Sequence, residues 1–256
     1  MPFQKVEAEK LSSAVVRQIE SLILRGLLRP GERLPAERDL AVRLGVSRPS
    51  LRDALATLQE QGLLSARAGS GIYVADVLGS AFSPALIRLF RAHDDAVFDY
   101  ITFRRDIESL AAERAARLGS DADLQVVQSV YDRMRAGQAK PDPKQDAKLD
   151  AQFHMAILEA SHNVVMLHMM RSMFELLQEG VFYNRQVMFR QQTTQRELLE
   201  QHGAINTALQ ARDPDAAAAA VRRHMNFVKQ ALLDQQRAGR NEETARLRLE
   251  RETDRK

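Results

Sequence analysis

Hydrophobic positions in the first third of the chain change from helical to strand-like spacing. Apolar residues recur every three or four positions over residues 11–28, in the segment opened by Pro35, and from residue 47 to 62. Two short runs, Ser65–Arg67 and Ile72–Val74, then flank four small residues that are typical of a hairpin tip. Three helices followed by a two-stranded hairpin predict a winged helix-turn-helix, a module that places one helix in the DNA major groove.

Beyond this motif the apolar positions keep helical spacing to about Arg237. The pattern is interrupted at residues 92–95, 119–121, 137–143 and 213–214. It predicts six or seven helices, so the fold class is mainly α, with an N-terminal winged helix-turn-helix and a C-terminal all-helical bundle. The expected divisions are a DNA-binding domain at 8–76, a linker at 77–83, an all-α domain at 84–236 and a charged tail at 237–256.

Composition is that of a globular protein. The chain is 45% hydrophobic and 28% charged, which suffices for a buried core. No apolar run approaches the roughly 20 residues that span a bilayer, and the first ten residues lack the apolar core of a signal peptide. The sequence therefore predicts a cytoplasmic protein with no membrane partner. The absence of cysteine excludes thiolate metal ligands, and a net charge of +3 is too small to argue for a nucleic-acid partner by itself.

Seven arginines and no lysine lie between residues 29 and 67. Arginine presents a planar fork that bonds guanine edges or phosphates in pairs. Arg48 and Arg52 are four positions apart, so they share one face at the start of the motif's second helix. Arg38, in the helix before it, is expected to reach the DNA backbone or the groove edge. These arginines could instead only solvate helix surfaces, but their order on this scaffold favours contact with DNA.

The segments Gly31–Arg38 and Val46–Leu55 resemble the GntR family of bacterial transcription factors, and the resemblance covers residues 11–74. It implies that the matching arginines and serines contact operator DNA and that the wing tip enters the minor groove. It also implies binding to short palindromes as a homodimer. With the arginine at the end of the first strand, the predicted DNA-binding residues are Arg38, Ser47, Arg48, Ser50, Arg52, Arg67, Gly69 and Ser70.

Four polar residues in the helical half have a spacing that suits a metal site. Asp150 and His154 are four positions apart, so they point from one helical face. His202 precedes the break at Asp213 by eleven residues and His224 follows it by eleven, which places both imidazoles level in an antiparallel hairpin. One carboxylate and three imidazoles could hold Zn, Ni, Mn or Fe. The alternative is that these histidines are hydrogen-bonded core residues.

Residues 84–235 look like the FCD domain, the all-helical effector domain of the FadR branch of the GntR family. That domain often binds a metal through one Asp and three His, so the resemblance implies that Asp150, His154, His202 and His224 are ligands of a divalent metal, with zinc the first choice. It also implies that the all-α domain dimerises and binds an effector. The segment Ser161–His168 and the helix before it resemble regulators of pyruvate, L-lactate or glycolate metabolism.

Other polar residues of the helical half are candidates for pocket or surface positions. A buried Arg104 would suit a carboxylate effector as a bidentate partner, although an ion pair with Glu108, one turn away, is equally expected. The aromatic and basic segment Val181–Arg190 either lines the pocket or belongs to the core. His162 is expected at a pocket wall or a helix cap, and His93 on the surface.

The combined expectation is a metabolite-responsive DNA-binding transcriptional regulator. It acts as a repressor that a small 2-hydroxy or 2-oxo carboxylate, such as pyruvate, lactate or glycolate, releases from operator DNA. The alternative is a metal-dependent enzyme that uses the Asp and His cluster, but the sequence shows no clear general base and no nucleophile motif. A third possibility is an architectural DNA-binding protein with an inert dimerisation bundle.

Overall fold

A computed structural model describes residues 10–67, 69–76, 84–178 and 192–253. The chain divides into two compact units, Met1–Ala81 and Phe82–Lys256. The predicted linker, at 77–83, lies outside the described residues. Among the helices of the described ranges, none is both long and apolar enough to cross a membrane.

The first unit is a winged helix-turn-helix, as predicted. Its elements in chain order are α1 (Leu11–Leu24), α2 (Glu37–Leu44), α3 (Arg48–Glu60), β1 (Leu64–Arg67) and β2 (Gly71–Val74). The two strands are antiparallel, with Leu64 opposite Val74 and Arg67 opposite Gly71. Apolar residues of all three helices and both strands form one core, in which Leu51 and Leu58 are fully buried.

The first helix ends before the last apolar residues of its pattern. It ends at Leu24 rather than at residue 28, because Gly26 adopts the left-handed conformation at φ 76°. The amides of Leu27 and Leu28 then both donate to the carbonyl of Leu22. The last apolar residues therefore form a closing turn, in which Leu28 packs against the core and Leu27 is exposed.

The second unit is all-helical over its described residues, with seven helices and no strand. These are α4 (Pro84–Ala92), α5 (Asp94–Leu118), α6 (Asp121–Gly137), α7 (Pro143–Ala160), α8 (Val164–Gln178), α9 (Gln192–Gln210) and α10 (Pro214–Thr253). The four predicted breaks coincide with helix ends. A further break, after Ala160, has no glycine or proline to announce it; there His162 takes φ 50°.

Helix α5 packs most extensively against α10 and also lies against α7. Four alanines of α5 and three of α10 are buried, and such small side chains let the helix backbones approach closely. Beyond Leu232, the last buried residue of α10, the helix continues and its residues 237–253 are all exposed. The charged segment expected as a tail is thus helical as far as Thr253.

Candidate functional site

The turn between α2 and α3 presents the start of α3 to solvent. Gly45 closes α2 in the left-handed conformation, which favours glycine. Ser47 is the N-cap of α3 and its Oγ accepts from the amide of Ser50 at 3.3 Å. Pro49 occupies the first helical turn, where its missing N–H costs nothing. Ser47 therefore holds the helix start in place as well as lying on the surface expected to face DNA.

The three arginines predicted to contact DNA on α2 and α3 are exposed. The side chain of Arg38 is 84% exposed and that of Arg52 is 61% exposed. Arg52 Nε lies 2.8 Å from Glu37 Oε2, a contact between the two helices of the motif. Such a surface ion pair contributes at most about 1 kcal/mol, so a phosphate or a guanine edge can replace the carboxylate at little cost.

The wing is organised by a tyrosine that sequence reasoning missed. The guanidinium of Arg67 lies 4.3 Å from the centroid of the Tyr73 ring. Ser70 Oγ and the Tyr73 hydroxyl lie 2.6 Å apart. Tyr73 is thus in contact with two predicted DNA-binding residues, and the exposed Gly69 forms the tip between them. The signal that could have found it is an aromatic residue in the strand directly after the glycine-rich turn.

Four predicted metal ligands come together in the core of the helical unit. Helix α7 supplies Asp150 and His154, α9 supplies His202 and α10 supplies His224; each offers one donor atom, and all four atoms lie within 4.8 Å of one another. The centroids of the His202 and His224 rings are 4.4 Å apart, so the prediction of level imidazoles across the hairpin is confirmed. All four residues are buried, the aspartate at 6% exposure and each histidine at 1% or less.

Three of these donors lie close enough together to bind one divalent cation, and Nε2 of His154 is 3.7 Å from Oδ1 of Asp150. Nε2 of His202 lies 3.4 Å from Nε2 of His154 and 3.3 Å from Oδ1 of Asp150. Two nitrogen ligands of zinc, each at about 2.0–2.1 Å and at the tetrahedral angle, lie about 3.3–3.4 Å apart. One carboxylate and three imidazoles are also a donor set that zinc and the later first-row metals accept.

Two residues outside the cluster orient its imidazoles. Glu108 Oε2 lies 2.6 Å from Nδ1 of His154, and Gln201 Oε1 lies 3.1 Å from Nδ1 of His224. A carboxylate or amide oxygen only accepts, so each contact favours the tautomer with the proton on Nδ1, which leaves the Nε2 lone pair for a cation. Such partners of ligating histidines are part of a metal site. Sequence reasoning missed both roles, although it named Glu108 as a partner for Arg104.

Buried charges around His154 shift the pKa values in different directions. Burial alone would raise the pKa of Glu108, but Arg104 and His154 outweigh it and hold that pKa at about 2. Burial would lower the pKa of His154, whereas Glu108 and Asp150 raise it. Burial and the neighbouring His202 hold the pKa of His224 well below its usual range. The site therefore combines a neutral imidazole on His224 with an ionised carboxylate on Glu108.

Arg104 is buried at 1% exposure and its Nε lies 2.6 Å from Glu108 Oε1. The ion pair expected one turn away is therefore formed, and through Glu108 it connects Arg104 to His154.

His162 is 53% exposed and follows the end of α7, and its Nε2 lies 2.9 Å from Asp123 Oδ2. This position fits the predicted capping role and contradicts the pocket-wall role. His93 is exposed, as predicted. The segment at 181–190 lies outside the described residues.

A winged helix-turn-helix with an exposed arginine surface, joined to an all-α unit with a buried donor cluster, defines a DNA-binding regulator with a separate helical domain. Two family models match the chain: "Bacterial regulatory proteins, gntR family" at residues 11–74 and "FCD domain" at residues 99–227. The chain belongs to the GntR family of transcriptional regulators, in the branch that carries an FCD domain, and is a DNA-binding transcriptional regulator.

Curated relatives support this membership over nearly the whole chain. An L-lactate dehydrogenase operon regulatory protein of Escherichia coli (strain K12) is 37% identical over 223 residues, which are 86% of this chain and 85% of the relative. The Glc operon transcriptional activator of the same strain is 33% identical over 235 residues, 90% of this chain and 92% of the relative. The family and these relatives are transcriptional regulators rather than enzymes.

A solved structure, the GntR protein of Streptococcus agalactiae, has the same fold. Its TM-score is 0.51 at 24% identity, and the match covers 86% of this chain and 99% of that chain. The predicted two-part helical architecture is therefore shared with an experimentally known regulator. At this identity the likeness concerns the fold alone.

Proposed function

We propose that this regulator is a metabolite-responsive repressor that binds a palindromic operator as a homodimer and is released by a small 2-hydroxy or 2-oxo acid. The observation that carries the proposal is the convergence of four buried donor atoms within 4.8 Å in the helical unit. A buried group of three imidazoles and a carboxylate is costly to leave without a cation, which favours a ligand-binding role.

Asp150, His154, His202 and His224 are the proposed ligands of one divalent metal per chain, with zinc the first choice and Ni, Mn or Fe as alternatives. A bound cation that accepts six ligands would supply positive charge and two open coordination positions for the carboxylate and adjacent oxygen of an acid. Glu108 and Gln201 support this assignment because each holds a histidine in the tautomer that turns Nε2 toward the cluster.

Arg104 is the proposed second contact of the acid. It is buried, and it is joined to the cluster through Glu108 and His154. A guanidinium has five N–H donors in a planar fork, so pairing with Glu108 through Nε is compatible with an acid as a further acceptor. The names of relatives that regulate L-lactate dehydrogenase and Glc operons support a small hydroxy acid as the effector class.

Removing the two histidines of the α9–α10 hairpin tests the sensor. His202→Ala combined with His224→Ala is expected to abolish metal content and to blunt the response to acid, while operator binding stays largely intact because the DNA surface belongs to the other unit. Metal is measured by plasma mass spectrometry on gel-filtered protein, and operator binding by fluorescence anisotropy. His93→Ala, an exposed histidine outside the cluster, is the matched control.

Chelator treatment of the wild-type protein provides the same test without a substitution, so a folding defect in the double variant does not decide the outcome. An unchanged response of the double variant or of stripped protein, at the wild-type acid concentration, would show that the metal is not part of the sensor.

Release from DNA is tested with zinc-loaded protein on operator DNA in the presence of lactate, pyruvate or glycolate. The acid must bind the DNA-free state more tightly than the DNA-competent state, since equal binding to both shifts nothing. One of the three acids is expected to weaken operator binding. If none of them changes the anisotropy titration, the proposed effector class is wrong. A promoter reporter that is silenced by the protein and restored by the acid supports repression, whereas acid-dependent activation contradicts it.

A further inference from the structure

A cavity lies beside the donor cluster, between the end of α6 and the first halves of α7 and α9. It measures about 300 Å³, counting the space that opens to solvent. The enclosed part of this cavity is about 20 Å³, which is room for one small group such as a hydroxyl. His202 belongs both to the cluster and to the cavity wall. The described side chains that line it are Met134, Gln138, Asp146, Leu149, Gln195, Leu199 and His202.

Asp146 is the unusual member of this wall. It is only 9% exposed and lies one helical turn before the proposed ligand Asp150. Gln195 Nε2 donates to its Oδ2 at 2.7 Å, and within the described part of the chain no lysine or arginine pairs with it. Burial and the nearby Asp142 raise the pKa of Asp146. A largely buried carboxylate that no cation of the described residues neutralises, placed in a cavity, suits a ligand that donates hydrogen bonds to it.

We propose that this cavity is the subsite for the part of the effector that points away from the metal, and that Asp146 makes it select a hydroxylated, uncharged end and reject a second carboxylate. The inference rests on the proposed function of the donor cluster. A carboxylate accepts hydrogen bonds from hydroxyl groups and repels another carboxylate. The amides of Gln138 and Gln195 both donate and accept, and Met134 contributes apolar surface for the carbon chain.

Three acids of one hand test the selection: L-lactate, L-glycerate and L-malate. They share a carboxylate and a 2-hydroxyl group and differ only at the third carbon, which carries hydrogen, a hydroxyl group or a carboxylate. Binding to the zinc-loaded full chain is measured by isothermal titration at about pH 7.5, well above the ordinary carboxyl pKa. Glycerate is expected to bind at least as tightly as lactate, and malate at least about tenfold more weakly, because two carboxylates a few ångströms apart repel strongly in a buried place.

The variant Asp146→Asn keeps the shape of the side chain and removes its charge. It is expected to reduce the ratio of the malate Kd to the lactate Kd by about tenfold or more, since the repulsion is gone. Asp142→Asn is the matched control. It removes the same charge from an exposed residue one turn earlier, where asparagine also serves as a helix N-cap. This control is expected to leave the ratio at the wild-type value.

The outcomes separate this inference from the proposed function. If lactate binds but malate binds equally well to the wild type, or glycerate binds much more weakly than lactate, the subsite is wrong while the sensor stands. The same conclusion follows if Asp146→Asn leaves the ratio unchanged. If none of the three acids binds the zinc-loaded wild type but pyruvate or glycolate does, the subsite is wrong while the sensor stands, and if none of these five acids binds, both fail. The order of the three Kd values for the wild-type protein tests the subsite even if the variant does not fold.

Discussion

Among single residues, Glu108 contacts two buried groups, the guanidinium of Arg104 and the imidazole of His154. Each contact measures 2.6 Å. Its negative charge has two separate effects. It neutralises a cation that burial would otherwise make costly, and it fixes the tautomer of a proposed metal ligand. The second effect gives a prediction about metal affinity that a purely structural ion pair would not give.

Glu108→Gln is expected to weaken zinc binding by about 10–100-fold, because a neutral amide holds the His154 tautomer less firmly and no longer favours positive charge at the cluster. Affinity is measured by competition with a chromophoric chelator at a temperature where the variant is folded. Glu113→Gln, on the same helix but paired with Arg117 on the surface, is the control and keeps wild-type affinity. An unaltered zinc affinity in Glu108→Gln would mean that the contact only stabilises the fold.

The arginines at the head of α3 give the corresponding prediction for DNA. Arg48→Ala and Arg52→Ala are each expected to weaken operator binding by about 1–3 kcal/mol, the cost of losing a base-contacting arginine. Anisotropy titrations at fixed salt check this, with Arg135→Ala in the helical unit as a control that removes the same charge from an exposed position. Wild-type affinity in both α3 variants would be incompatible with the assignment of α3 as the recognition helix.

Among the secondary-structure elements, helix α5 ends just before Gly119, a position that has no space for a side chain. A Cβ atom at Gly119 would lie 2.5 Å from the carbonyl oxygen of Ala115, which is backbone and cannot move aside. The Gly119 carbonyl also accepts from Arg212 Nη1 at 2.7 Å. This contact joins the end of α5 to the turn between α9 and α10, on which the level placement of the two hairpin histidines depends.

Gly119→Ala is therefore expected to lower the free energy of unfolding by about 1–3 kcal/mol through overpacking. Gly239→Ala is the matched control, because a Cβ there meets nothing within 4 Å and the position lies in the exposed end of α10. The control substitution should raise the free energy of unfolding by up to about 1 kcal/mol, because alanine has a higher helix propensity than glycine. Urea denaturation followed by circular dichroism measures both, and equal effects of the two substitutions would refute the steric argument.

At the scale of the whole molecule, one winged helix offers a small DNA interface, and a palindromic site doubles it. Two protomers are therefore expected on each isolated operator at saturation. Sedimentation of the protein with a fluorescent operator duplex measures the stoichiometry, and a half-operator duplex of equal length serves as the control. Saturation with a single protomer on the full palindrome would exclude the two-fold arrangement.

The features that depend on local spacing can be predicted from the sequence. Helical periodicity and turn residues gave the winged helix and the four main helix breaks. The i, i+4 spacing placed Asp150 and His154 on one face, and equal distances from the break at Asp213 made His202 and His224 level. Where the local signal was weak it failed: His162 took a left-handed conformation that a non-glycine residue seldom adopts.

The residues that surround these local patterns are set by the way the helices pack. Glu108 meets His154 across α5 and α7, and Asp146 meets Gln195 across α7 and α9, at sequence separations of 46 and 49 residues. The spacing of residues along the chain does not predict such pairs, because they depend on how the helices cross. They also depend on the buried alanines of α5 and α10, whose small side chains let these helices approach closely. The four donors follow from the sequence pattern, whereas their tautomers, their burial and the cavity beside them follow from helix packing.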